Sequence, residues 1–86
     1  VDELVALQRQ ILDTVHTYVK PNGVLVYSTC TIDEAENEDN VMWFIEKHPE
    51  FELDKNFAEG TGMKQILPGE HGSDGFFIAR FIKSKL

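Results

Sequence analysis

The sequence has one cysteine, Cys30, and so forms neither an internal disulfide framework nor a cysteine-rich zinc site, a usage that fits a reducing cytoplasm. It is also short of bases: eight Lys and Arg stand against 15 Asp and Glu, a formal net charge of −7. Phosphate contacts need clustered cations. Here the bases are scattered, and only Lys83-Ser84-Lys85 comes close to a patch. That balance points away from an independent nucleic-acid binder. No apolar run approaches the ~20 residues of a membrane span, and no signal-peptide pattern opens the chain, so no membrane partner is expected. The first residue is Val1 rather than Met, which reads as a fragment or a processed product.

What remains is globular. The 86 residues are 42% hydrophobic and 10% aromatic, which suits one small domain with a thin core. From Asp2 to Val19 the residues Leu4, Leu7, Ile11, Val15 and Tyr18 recur every three or four positions, with Leu12 and Val19 widening the stripe. This spacing predicts an amphipathic helix, ended by Pro21-Asn22-Gly23. Val24-Leu25-Val26-Tyr27 is a short unbroken apolar run, as expected of a strand buried on both faces of a parallel sheet. Asp33 is a good N-cap with Glu36 as its capping-box partner, and five acids (Asp33, Glu34, Glu36, Glu38, Asp39) crowd the start of this second helix. Val41, Phe44, Ile45 and His48 form its apolar face, and Pro49 stops it.

Phe51-Glu52-Leu53 alternates like a short strand. Residues 54–62 have no period and read as a loop. Met63–Leu67 and Phe76–Ile82 read as a hairpin with an eight-residue turn between them. The assembled order is α-β-α-β-β with the last strand antiparallel. Such a set does not close on itself, because the apolar strand needs a neighbour on each side. The inference is a larger doubly wound α/β domain with its missing strands before Val1. The open strand edge is also a place for self-association.

Open α/β sheets bind ligands at the carboxyl ends of their strands, and Cys30 lies there, just before a helix. A helix N-terminus makes a thiol more reactive, while the neighbouring acids work against a thiolate. A lone cysteine is also commonly buried and inert, so both readings stand on the residues alone. If strand 76–82 runs antiparallel to strand 24–27, Asp74 and His71 come toward the thiol. The same segment also reads as an ordinary Gly-rich turn. Phe76 and Phe77 read as core and sheet-face residues, and His16 and His48 as unremarkable helix residues. No metal-ligand spacing exists, and Gly60-Thr61-Gly62 is too short for a phosphate loop.

Lys20-Pro21-Asn22-Gly23-Val24-Leu25-Val26-Tyr27-Ser28-Thr29-Cys30-Thr31, followed by Glu36-Asn37-Glu38, resembles the Thr-Cys motif of Sun/Fmu-type RNA (cytosine-C5) methyltransferases. Gln65-Ile66-Leu67-Pro68 through Asp74-Gly75-Phe76-Phe77-Ile78-Ala79 resembles the last motif of that family, most of all its bacterial small-subunit ribosomal RNA member. The likeness runs from about Leu7 to Lys83. It implies an α/β fold in which residues 1–86 are the C-terminal part of a Rossmann-like methyltransferase catalytic domain. It further implies Cys30 as the nucleophile that adds to C6 of cytosine, so that C5 takes a methyl group from S-adenosylmethionine. Ser28, Thr29, Thr31, Glu36, Asn37, Asp74 and Phe76 are then expected on the substrate side. The family's Gly-rich loop, acidic ribose-binding residue, second cysteine motif and RNA-binding region are absent from this sequence. The S-adenosylmethionine site and the contacts to RNA, ribosomal by the resemblance, are therefore expected upstream, and the 86 residues alone are expected to be inactive. Two other readings are a thiol hydrolase built on Cys30, His71 and Asp74, and a non-catalytic acidic domain that binds a protein.

Overall fold

A computed structural model describes residues 3–31, 33–69 and 75–84. Helix α1 (Glu3–Val15) runs into a 3-10 turn at His16–Tyr18. The chain then reverses at Pro21-Asn22-Gly23. Asn22 takes a left-handed φ of 67°, and the Gly23 N–H bonds the Lys20 carbonyl at 2.7 Å. Strand β1 (Val24–Thr29) leads through a turn into α2 (Glu38–Lys47). Three further strands follow: β2 (Phe51–Leu53), β3 (Met63–Ile66) and β4 (Phe76–Lys83).

β4 is the spine of the sheet. It pairs antiparallel with β1 from Val24↔Ile82 to Thr29↔Phe77. On its other side β2 pairs with its end (Phe51↔Lys83) and β3 with its beginning (Ile66↔Phe76), both antiparallel. The expected hairpin, the antiparallel last strand and the short strand read at Phe51–Leu53 are therefore present, and the full order is α-β-α-β-β-β. Among the described residues no helix is long and apolar enough to cross a membrane.

The two-residue period of β4 sends Phe77, Ala79 and Phe81 to one face, where they meet Leu12 of α1 and Val41 and Phe44 of α2. The Phe44 ring lies 4.9 Å from that of Phe81 and 5.1 Å from that of Phe51, close enough for tilted aromatic packing. Four phenylalanines (44, 51, 77 and 81) are essentially fully buried, and each contributes about 1.5–3 kcal/mol of burial free energy.

Three expectations need correction. β1 is not buried on both faces: Leu25, Tyr27 and Thr29 share the helix-covered face with Phe81, Ala79 and Phe77, whereas Val26 is 57% exposed. The core residues of both helices meet that one face, and on the other face of β1 Val24 is 42% exposed. The apolar stripe read for the first helix faces inward only in part, with Leu12 in the core and Val19 packed against it. Leu4, Leu7 and Ile11 are about half exposed and Tyr18 is 80% exposed, while Val5 and Leu12, seven positions apart, point to the interior. Ile11 overhangs the unpaired edge of β1 instead, and with Val15, Leu25 and Val26 it lines an open groove of about 430 Å³.

The third correction concerns α2, which starts at Glu38 rather than Asp33. Asp33 closes a local turn by accepting the Ala35 N–H at 3.0 Å. The Glu36 carboxylate does not return to Asp33 as a capping box would; it accepts the Gln8 amide at 2.9 Å. Only Glu38 and Asp39 of the five acids occupy the first helical turn, where the dipole favours them.

Candidate active site

Strand β1 ends by carrying the chain out of the sheet at Thr29-Cys30-Thr31. Cys30 is exposed. It lies in an open groove of about 490 Å³ whose walls are Ser28, Thr29, Thr31 and Glu36 on one side and Leu4 and Gln8 of α1 on the other. The groove's shape is set by a set of buried polar bonds behind it.

Asn37, with no exposed surface, is central to these bonds. Its Oδ1 accepts the Thr29 hydroxyl, and its Nδ2 donates to the Thr31 carbonyl at 2.9 Å and to Gln65 Oε1 at 3.0 Å. Gln65 in turn donates from Nε2 to the Phe76 carbonyl at 3.0 Å, so β3, β4 and the cysteine loop are tied at one point. One turn along α2, the equally buried Asn40 donates to Gln8 Oε1, the Tyr27 hydroxyl and the Glu36 carbonyl, and its Oδ1 accepts Arg9 Nε at 2.8 Å. The Tyr27 hydroxyl donates to the Glu36 carbonyl at 2.6 Å. Burial of the Tyr27 phenol pushes its pKa above the ordinary 10, which keeps it protonated as that bond requires. Buried polar groups are costly unless bonded, and these are bonded to one another.

The residues expected at the site are thus divided between two sides. Ser28, on the uncovered face, and Cys30 are open to the groove. Thr31 lines it, but its hydroxyl accepts the Asp33 N–H at 3.0 Å. Thr29 turns to Asn37, and Glu36 touches the groove while remaining buried. Phe76 is half-buried at the start of β4, next to the Thr29↔Phe77 pair. His71 and Asp74 lie outside the described residues. Sequence reasoning passed over Gln8, Tyr27, Asn40 and Gln65. A signal for Asn40 was present: a polar residue four positions before Phe44 lies on the helix's buried face.

A second cluster lies between the ends of the two helices. Asp13 accepts Lys47 Nζ at 2.7 Å and His48 Nε2 at 2.8 Å, and the His16 ring stacks on His48 with centroids 3.9 Å apart. Asp13, His16 and His48 bring one ligand-type atom each within 4.8 Å of one another. Both Asp13 oxygens are already engaged, and the Lys47 ammonium beside them opposes a cation, so the arrangement acts as a latch between α1 and α2. Lys47 and then His48, by hydrogen bonding, hold the Asp13 carboxyl below its ordinary 3.8.

A family model described as "16S rRNA methyltransferase RsmB/F" matches residues 1–82. Ribosomal RNA small subunit methyltransferase B of Shewanella oneidensis is 39% identical over 98% of this chain and 20% of its own length. The protein of the same name from Salmonella paratyphi A is 42% identical over 94% of this chain and 19% of its own. The crystal structure of NSun6 from Pyrococcus horikoshii with SFG superposes with a TM-score of 0.80 at 31% identity, covering 95% of this chain and 23% of that one. The chain thus spans about a fifth of the curated relatives it matches.

Proposed function

The chain belongs to the RsmB/F family of 16S rRNA methyltransferases, and from that premise we propose that it is the nucleophile-bearing C-terminal part of an rRNA (cytosine-C5) methyltransferase catalytic domain. The observation that carries this reading is the exposed Cys30, set in a groove at the carboxyl end of β1 within the Thr-Cys motif. The open edge of β1 and the apolar groove beside it give the place where a preceding strand of a Rossmann-like sheet would pair.

In this reading the Cys30 thiolate forms a bond to C6 of an unstacked cytosine, and the electron pair displaced from the C5–C6 bond makes C5 nucleophilic. C5 spends that pair on its bond to the methyl group; a base then removes the C5 proton, and the pair left by the C5–H bond re-forms the C5–C6 double bond and expels the thiolate. Ser28, Thr31 and Phe76, with Asp74, form the substrate edge, while Thr29, Glu36 and Asn37 act from behind it. S-adenosylmethionine supplies the methyl group in such chemistry. The described residues do not fit an adenosyl cradle: Gly60 and Gly62 belong to a tight turn packed back on Leu53, not to a loop leading from a strand into a helix. The methyl donor, and the cations that meet ribosomal RNA, therefore belong to the rest of the enzyme, and the 86 residues alone transfer nothing.

The test is methyl transfer to ribosomal RNA by the full-length protein carrying Cys30→Ala or Cys30→Ser. Both should lose activity. RNA containing 5-fluorocytidine, whose C5 fluorine cannot leave as a proton does, should remain covalently attached to the wild type only. Wild-type rates in both variants would overturn the reading.

A further inference from the structure

We infer that Asn37 is the positioning residue for Cys30: its amide grips the chain on both sides of the cysteine and fixes where the thiol stands. The inference rests on the proposed nucleophilic role of Cys30 and adds to it how the nucleophile is held.

Three observations carry it. First, among the described residues nothing bonds the Cys30 thiol, so its direction is set by the backbone of residues 29–31. Asn37 holds that backbone from both ends, through the Thr29 hydroxyl and the Thr31 carbonyl. Second, Asn37 occupies the N-cap position of α2, where an asparagine side chain ordinarily bonds its own helix, yet it makes no such bond. The helix start gives up that cap while the amide faces the cysteine loop. Third, the bond pattern needs an amide. Oδ1 accepts from a hydroxyl while both Nδ2 hydrogens donate to carbonyl-type oxygens, on Thr31 and Gln65. A carboxylate of the same shape would set oxygen against oxygen at two of the three contacts. Through Gln65 and the Phe76 carbonyl, the same amide is linked to the first residue of β4. The cysteine loop and the β3–β4 pair are thereby set relative to each other.

A loosened clamp leaves the groove and its RNA contacts in place but lets the sulfur drift from its line of approach to C6. Misplacement by about 1 Å costs on the order of 100-fold in rate. In the full-length enzyme, Asn37→Asp and Thr29→Val should each lower kcat about 10- to 100-fold and leave the KM for RNA within about twofold, the signature of an interaction that matters in the transition state. Covalent capture of 5-fluorocytidine RNA should slow in parallel. Thr29→Ser restores the hydroxyl and should recover the rate to within a few-fold of wild type. The Thr29→Val, Asn37→Ala double variant should be no slower than Asn37→Ala alone, because both remove one contact.

Cys30→Ala, run alongside, separates the two claims. If it abolishes transfer while Asn37→Asp keeps the wild-type kcat, the positioning role is overturned and the nucleophile stands. If Cys30→Ala itself retains activity, the underlying reading fails. Should Asn37→Asp not fold, the Thr29 pair decides: equal kcat for Thr29→Val and Thr29→Ser overturns the clamp. A lowered melting temperature with unchanged kcat in these variants would reduce Asn37 to a structural residue and overturn it likewise.

Discussion

Replacing Asn40 by alanine should destabilise the chain more than any change of similar size on its surface. The side chain makes four hydrogen bonds, to Gln8, Arg9, Tyr27 and the Glu36 carbonyl, and has no exposed surface. After truncation the Glu36 carbonyl still accepts Tyr27 and the Gln8 amide still holds Glu36, so the groups left stranded are Gln8 Oε1 and Arg9 Nε. A stranded buried partner costs about 1–3 kcal/mol. Both residues are half-buried and regain some water, and the Arg9 guanidinium keeps its contact over the Trp43 ring at 5.1 Å. The sum is about 2–4 kcal/mol, against a total of about 4–13 kcal/mol for a chain of this length. In a thermal melt followed by circular dichroism this is a fall of roughly 10–25 °C. Asn40→Asp should be at least as damaging, since it keeps the acceptor for Arg9 but turns an oxygen toward Gln8 Oε1 and the Glu36 carbonyl. A fall below about 4 °C for Asn40→Ala, under 1 kcal/mol, would refute the reasoning and show the network to be worth no more than bonds to water.

The Asp13 latch should be visible in acid. Its folded pKa lies below 3.8, so its contribution is complete above that value and is lost as pH falls through the folded one. Asp13→Asn should lower stability near neutrality and flatten the decline of melting temperature on the acid side; an acid limb as steep as that of the wild type would remove the latch. The open edge should drive association. The weight-average mass in sedimentation should rise with concentration, and Val26→Lys, a charge on the uncovered face of β1, should abolish that rise. A wild type that stays monomeric at every concentration would contradict this.

The elements were legible in the sequence wherever a local period or breaker specified them: the helix over Glu3–Val15, the turn at Pro21-Asn22-Gly23, the Met63–Ile66 and Phe76–Lys83 hairpin. Cys30 at a strand's carboxyl end was legible for the same reason. What failed depended on partners far away in the chain. The apolar run Val24–Tyr27 carries no mark of which face is covered, because burial depends on where the helices dock. Asp33 and Glu36 satisfy the local pattern of a helix start, but Glu36 is drawn to Gln8, 28 residues away, and Asn37 to Gln65, also 28 away. His16 and His48 lie at separate helix ends and become neighbours only when α1 and α2 pack. Polar residues in a buried network look on paper like solvent-facing ones, and their bonding is a property of the tertiary fold.

The pairing of β4 also dictates an order of events in folding. Among the described residues β1, β2 and β3 pair with β4 and not with one another. The last strand in the chain is therefore the one every other strand waits for. Before Phe76 is available, the helices can form locally, but none of these three ladders can, and Val24 must find Ile82, 58 positions further along the chain. Long-range closure of that kind slows folding and leaves strand edges unpaired meanwhile. A nascent chain halted before β4 would leave all three strands without the partner that each has in the finished fold.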